Sequence, residues 1–483
     1  GSVAAIAPTV NITTQGAAAT TATSSSQTVD TSNFTGVTSY KNFASTDSVK
    51  FTGITTNDKL VVDSITAGTN ATTDAQYAAA VVKGTSSVGT LELNNNTSAG
   101  TITIGNSSGT GFETLNIAAT GKNTVGGSGI VSKGAKTVTL SATGATDVTI
   151  SSDVASKGTL TVTGAGKVTL NTLDTAFDTV DASGNSGGIV VTDVGDAKTV
   201  YTLSSGDDKF TTAADGFATS DKFAVAAGGG TGDELVVAAA ADLDTAAEGA
   251  RYTGFEKLTV SDSQDVSLTS GITALKVTGA TTNKTLSNIS AAAAGDITLD
   301  TSNLTAITFS LKNTTGSSDS VTLDLKSATS TTNVSAIGLK VAGVETLNVK
   351  GSTGTAGTDS VIEFGGSGAD KLKTINLSGT ADMDIDATNV AKKATVTSTS
   401  TGAITVTGGW VSGTTVTTGS GKDDISLGST TGVTYDSGAG NDLFTTAEFS
   451  YLVATGSDDH VIKAGAGIDT LDIDKAAPVI IDN

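Results

Sequence analysis

Thr137-Val138-Thr139-Leu140, Asp147-Val148-Thr149-Ile150, Thr159-Leu160-Thr161-Val162, Lys167-Val168-Thr169-Leu170, Thr179-Val180-Asp181 and Ile189-Val190-Val191 follow one another along one stretch of chain. Their starts lie about ten residues apart, with Gly, Asn, Asp or Ser between them, which is the pattern of short strands bounded by turns. Six strands at steady spacing imply either a sandwich or a solenoid of stacked coils. The side chains favour the solenoid. They are short and poor in aromatics, so a thick sandwich core would be weak. Stacked coils instead align small identical residues and satisfy each backbone through the coils above and below.

The composition of the 483 residues points the same way: 58 Gly, 2 Pro, no Cys, and one each of Met, Trp and His. Thr, Ser, Ala, Val and Gly supply most of the rest, so β-branched and small residues do the packing. High Gly with strong net charge also describes disordered chains, but the many alternating Val, Ile, Leu and Thr runs argue against that. There are 48 Asp plus Glu against 27 Lys plus Arg, a net charge of −21. Only eight of the acids are Glu, and Arg251 is the single Arg. A nucleic-acid surface wants the opposite sign and more Arg. This balance attracts cations, and Asp in Gly-rich loops is a hard oxygen ligand suited to Ca²⁺. The plainer role of such Asp, filling turns and keeping the surface soluble, holds for others. Without Cys there are no disulfides or thiolate metal sites. No apolar run approaches a membrane span, and no basic segment followed by an apolar core marks an N-terminal signal.

The chain divides on this reading into a low-complexity segment, 1–35, a solenoid region, 36–225, a second solenoid region, 226–365, and a calcium-binding roll, 366–483. The second region carries most of a longer repeat: Gly111-Phe112-Glu113-Thr114-Leu115-Asn116-Ile117, Gly254-Phe255-Glu256-Lys257-Leu258-Thr259-Val260 and Gly343-Val344-Glu345-Thr346-Leu347-Asn348-Val349. Three of the eight Glu occupy this one position. Glu113, Glu256 and Glu345 are therefore expected at equivalent strand starts, each near a metal or a turn of backbone amides.

Gly365-Gly366-Ser367-Gly368-Ala369-Asp370-Lys371-Leu372-Lys373 matches the nonapeptide G-G-x-G-x-D-x-U-x of calcium-binding β-rolls at every fixed position. Glycines open dihedrals closed to other residues, the Asp carboxylate completes an oxygen cage around Ca²⁺, and the apolar position packs inside. Partial copies follow: Gly419-Ser420-Gly421-Lys422-Asp423, Gly438-Ala439-Gly440-Asn441-Asp442 and Gly465-Ala466-Gly467-Ile468-Asp469, with Asp459 in a poorer copy. Gly206-Asp207-Asp208 keeps only the ending. A roll turns once per two nonapeptides, about 18 residues. Asp423, Asp442 and Asp459 follow one another at close to that period. They are thus expected in one column, with Asp469 on the opposite wall. The metal ligands expected are Gly366, Gly368, Asp370, Asp208, Gly419, Gly421, Asp423, Gly438, Gly440, Asp442, Asp459, Gly465, Gly467 and Asp469, joined by Glu113, Glu256 and Glu345.

An enzyme is not expected. His460 is the lone His, so an H-E-x-x-H zinc site is impossible, no Cys nucleophile exists, and His460 is read as an exposed loop residue rather than a triad member. Paired carboxylates need no motif and stay open.

Taken together, the Gly-Phe/Val-Glu-x-Leu-x-Val blocks, the Thr/Ala/Gly-rich strands and the calcium nonapeptides resemble Gram-negative surface-layer (S-layer) proteins of the Caulobacter type, most closely from Asp319 through Leu377. The nonapeptide itself is shared with toxins, proteases and adhesins that leave the cell by the type I route. The resemblance implies an all-β, elongated, multi-domain parallel β-solenoid with a calcium-binding roll toward its C-terminus. It implies a secreted protein, tiling the cell surface with copies of itself when Ca²⁺ binds. In that family an N-terminal region anchors to lipopolysaccharide and a C-terminal segment directs secretion; neither is recognised here. The alternative is a calcium-rigidified adhesin segment that binds a surface or glycan.

Overall fold

The computed structural model describes residues 3–4, 9–13, 26–66, 71–151, 158–173, 175, 177–193, 198–213, 222–279, 283–300, 306–326, 334–352, 360–446 and 459–473. Among these, the α-helices are single turns such as Ala79–Val82 and Ala291–Ala294, and nearly all other regular structure is strand. No described helix is long and apolar enough to cross a membrane. The chain forms two compact units, one of Gly1–Asp242 with Ala247–Phe255, the other of Leu243–Ala246 with Glu256–Asn483.

The first unit is a parallel β-solenoid with two strands to a coil. All six strands read from residues 137–193 are present, as Thr137–Ala142, Thr146–Ser151, Gly158–Gly164, Val168–Leu173, Phe177–Asn185 and Ile189–Thr192. Successive strands alternate between two sheets, and each pairs in parallel with the strand two further on. Alternation then sends every second side chain inward. In one sheet Leu115, Val138, Leu160, Val180, Tyr201, Val225 and Tyr252 stack in register. In the other, Val125, Val148, Leu170, Val191, Phe210 and Leu235 do the same. Every one of these residues is buried. At about 25 cal/mol per Å² of apolar surface removed from water, these two columns add cohesion at every coil. The strand backbone bonds to neighbouring coils rather than to water. On the outer face, opposite charges sit one coil apart: Lys41 with Asp63, Lys59 with Glu92, Lys209 with Glu234. Exposed pairs add little stability, but a one-residue slip of register would break them.

Coil length varies while the inward columns stay aligned, with local register shifts taken up beside them. Leu60 pairs with Leu91 and Leu160 with Val180, so the first of these coils is longer than the second by more than half. The difference lies in the turns.

The second unit repeats the plan. One sheet stacks Val321, Leu347, Ile375, Val396, Val416, Tyr435 and Ile462. The facing sheet stacks Ile362, Ile385, Val406, Ile425, Phe444 and Leu471. Within this sheet two successive coils, Val406 to Ile425 and Ile425 to Phe444, have the same short length.

Candidate metal centre

Three turns of the second unit lie directly above one another. Each leaves a strand of the first-named sheet (Thr415–Thr417, Thr434–Asp436, Val461–Lys463) and enters one of the facing sheet (Asp424–Ser426, Leu443–Thr446, Thr470–Ile473). They carry the three partial nonapeptides. Gly419, Gly438 and Gly465 stack, as do Gly421, Gly440 and Gly467: a Cβ on any upper member would run into the carbonyl of the glycine beneath it. Gly440 also has φ +155 and Gly438 φ +78, conformations that suit glycine. The glycines are therefore required by contact between coils before any ligand is considered.

The aspartates that end these turns form a ladder. Ile404 N–H donates to Asp423 Oδ1 at 2.8 Å, Asp423 N–H to Asp442 Oδ1 at 2.9 Å, and Asp442 N–H to Asp469 Oδ1 at 3.0 Å. Each carboxylate thus caps the backbone of the coil before it. Asp423 and Asp442 are each 1 % exposed, and the Oδ2 atom of each is buried with no hydrogen-bond partner. A half-satisfied buried carboxylate costs on the order of 1–3 kcal/mol or more, unless a proton or a cation meets it. Burial pushes the Asp423 carboxyl above the usual carboxylate range. The nearby Thr418 hydroxyl and the Ile404 and Gly419 N–H groups pull it back, while the Asp442 charge adds to the rise. The Thr418 hydroxyl is itself spent on the Ser437 carbonyl, at 3.0 Å.

The ladder corrects two expectations. Asp469 belongs to the same column as Asp423 and Asp442, not to the opposite wall. Asp459 does not belong to it: it precedes strand Val461–Lys463, on the side of the opposite turns. The coil from Asp442 to Asp469 spans 27 residues, so counting at a fixed period chose the wrong acid. His460 is also corrected. It is buried, at 7 % exposure, with Nε2 3.0 Å from the Gly428 carbonyl and its ring edge-on to Tyr435.

Asp370 is the aspartate of the complete nonapeptide yet stands elsewhere. Its turn follows Ser360–Phe364 and precedes Thr374–Gly379, the opposite direction of crossing. Asp370 Oδ1 accepts Gly343 N–H at 3.0 Å, and the Gly368 carbonyl accepts Val341 N–H at 2.6 Å. Gly366 faces open space, and Ser367 has φ +52. Here the motif docks one turn onto the preceding one.

The first unit contains the same ladder in other residues. Ile189 N–H donates to Asp208 Oδ1 at 2.7 Å, and Asp208 N–H to Asp233 Oδ1 at 2.7 Å. Asp208 has two further donors, Ser204 N–H to Oδ2 at 2.8 Å and the Ser204 hydroxyl to Oδ1 at 2.5 Å. Burial raises its carboxyl, Ser204 and the Ile189 N–H lower it, and Asp207 raises it slightly. Earlier still, Asn96 and Asn123 make a neutral version. Ile65 N–H donates to Asn96 Oδ1 and Asn96 N–H to Asn123 Oδ1, at 3.0 and 3.1 Å. Their amide nitrogens donate to the carbonyls of Val62 and of Thr120 and Gly121. Asp233, Asn96 and Asn123 were not legible as site residues. Gly228-Gly229-Gly230-Thr231-Gly232-Asp233 has the glycines, but its spacing before the Asp breaks the motif.

Glu113, Glu256 and Glu345 occupy equivalent backbone places. Each carbonyl accepts two successive N–H groups from the next coil: Lys136 and Thr137, Thr273 and Ala274, Lys373 and Thr374. The preceding Phe112, Phe255 and Val344 are fully buried. The side chains differ. Glu113 pairs with Lys136 at 2.7 Å, and Glu345, 4 % exposed, accepts Asp319 N–H at 3.0 Å.

Among the described residues, no three acidic or histidine side chains converge in a group able to hold a metal. The ladder places one carboxylate per coil, about 4.8 Å apart as parallel strands are, so an ion there would draw its remaining oxygens from main-chain carbonyls. The donor set is all oxygen, which suits Ca²⁺, and the two orphaned Oδ2 atoms are where positive charge is wanted. No protein-family model matches the chain, and no curated protein matches it.

Proposed function

We propose that the protein is a structural component of an extracellular bacterial surface layer, a β-solenoid stiffened by Ca²⁺ that assembles with copies of itself. The observation that carries this reading is the pair of buried, half-satisfied carboxylates, Asp423 and Asp442, in stacked glycine turns. Asp423, Asp442 and Asp469 would hold the ion, with carbonyls of the same turns. Bound Ca²⁺ supplies the positive charge that those oxygens lack. The chain's own part is to fix the turns: the glycines permit the close stack, and each Oδ1 ties its turn to the coil before it. The net charge of −21 opposes contact between copies at low salt, and neutralising the ladder would weaken that repulsion. The repeat blocks and strand composition support the surface-layer reading over other calcium-bound solenoids.

Light scattering and electron micrographs during a calcium titration test this. Ordered sheets forming with Ca²⁺ and dispersing with chelator are expected. Magnesium is expected to substitute poorly, because it favours near-ideal octahedral sites and keeps its water. A protein that binds Ca²⁺ but stays monomeric up to tens of millimolar, about ten times the weakest extracellular sites, would overturn assembly and leave an adhesin segment.

A further inference from the structure

We propose that the Asp423–Asp442–Asp469 ladder requires a hard divalent cation, and that the first-unit turns built on Asn96, Asn123 and Asp208 close without one. This rests on the calcium reading above and sets three first-unit turns outside it.

The chain holds three solutions to one geometric problem. In every case a backbone N–H in or beside the turn between the two sheets bonds a side-chain oxygen one coil on. Asn96 and Asn123 solve this with an amide. The oxygen takes the N–H, and the nitrogen donates to carbonyls, that of Val62 one coil back for Asn96 and those of Thr120 and Gly121 in its own turn for Asn123. No charge is buried. Asp208 solves it with a charge and a serine. Its two oxygens receive three donors, and the residue four before it, Ser204, supplies two of them. Asp423 and Asp442 have Gly419 and Gly438 four residues before them, and glycine has no hydroxyl. Oδ1 takes the backbone N–H, and Oδ2 has no hydrogen-bond partner at 1 % exposure, even with the Thr418 hydroxyl and Gly419 N–H close to the Asp423 carboxylate.

The glycines cannot be exchanged for serine there. A Cβ on Gly419 would fall on the Ser400 carbonyl, and one on Gly438 on the Gly419 carbonyl. The tight coil that makes the stack thus removes the side chain that would have satisfied the acid. What remains for Oδ2 is a cation. In the first unit, the amide and the serine leave nothing for a cation to do at Asn96, Asn123 or Asp208, and Asp208 is a self-contained turn rather than a ligand.

Hydrogen exchange of the full chain, with Ca²⁺ and with chelator, tests this amide by amide. Losing the ion should leave buried oxygens unmatched, at about 1–3 kcal/mol, so exchange at the amides of Ile404, Asp423 and Asp442 should rise about tenfold or more. The amides of Ile65, Asn96 and Ile189 should change less than about twofold. A double variant, Asp423→Asn with Asp442→Asn, should lose the difference between the two conditions, because it copies the Asn96–Asn123 arrangement. Deprotection of the Ile65, Asn96 and Ile189 amides equal to that of Ile404, Asp423 and Asp442 on chelation would overturn the distinction and leave the calcium reading standing. No change at any amide, together with no binding by calorimetry, would overturn both.

Discussion

The backbone N–H of Asp423 donates to the side chain of Asp442, one full coil further on, at 2.9 Å. A residue offered by sequence as a ligand is first a fastener between coils. That dual role shapes what substitution should do.

Gly440→Ala should be among the most damaging small changes in the second unit. The new methyl would meet the Gly421 carbonyl, and φ +155 would suit it poorly. Overpacking and backbone strain each cost about 1–3 kcal/mol. Trp410, the sole tryptophan, is buried in this unit. Its fluorescence during urea unfolding should show a clearly lower midpoint, whereas Gly366→Ala, at a glycine facing open space, should barely move it.

In chelator, acidity should help the second unit rather than harm it. Burial holds the Asp423 carboxyl above its ordinary value, so its folded pKa exceeds the unfolded value of about 3.9. Such a group favours the protonated fold. Its contribution is full below the unfolded pKa and is lost as pH rises through the folded one. Urea midpoints read from Trp410 should therefore fall between mild acid and neutral pH. Asp423→Asn should flatten that slope, and a slope equal to wild type in the variant would refute the assignment.

Glu113 and Glu345 share a motif position but not a cost. Glu345→Ala removes a buried acceptor and leaves the half-buried Asp319 N–H without it, about 1 kcal/mol or more. Glu113→Ala loses a pair to Lys136, whose side chain is 61 % exposed, worth about 0–1 kcal/mol. Thermal unfolding of both variants should rank them in that order.

Ser204→Ala should destabilise the first unit by about 1.5–3 kcal/mol, the worth of a hydrogen bond to a charged group, because the hydroxyl's 2.5 Å bond to Asp208 is lost. Exchange at the Ile189 amide, which shares the Asp208 Oδ1 acceptor, should rise in the same variant.

The strands from Thr137 to Thr192 were legible because alternation has to show wherever one face is buried and the other wet. The G-x-G-x-D turns were legible for a similar reason, since close stacking demands the same residues each time. Asp459 and Asp469 were misplaced because period counting assumes constant coil length, and the coil that follows Asp442 is markedly longer than the one before it. Asp370 fits the motif better than any of the ladder acids, yet its turn crosses in the other direction: the motif encodes a turn, and the surrounding strands decide where it stands. Asn96, Asn123 and Asp233 left no readable signal. Their role is defined by a neighbour a whole coil away along the chain, a distance no local pattern spans.

The long coil from Leu60 to Leu91 and the short one from Val406 to Ile425 align their inward columns equally well. Length is therefore absorbed outside the stack. The turn after Ile102–Asn106 shows how: Asn106 Oδ1 accepts the N–H groups of Ser108 and Thr110, and Asn106 N–H bonds the Thr110 carbonyl, so the excursion is closed on itself before the chain returns. A foreign peptide spliced between Ser107 and Gly109 would hang from a tied-off loop at the cost of a longer closure, about 0.6 kcal/mol per doubling. The first unit is in this sense a rack with interchangeable pegs, and cargo could be displayed on its turns without disturbing the inward columns that hold the rack together.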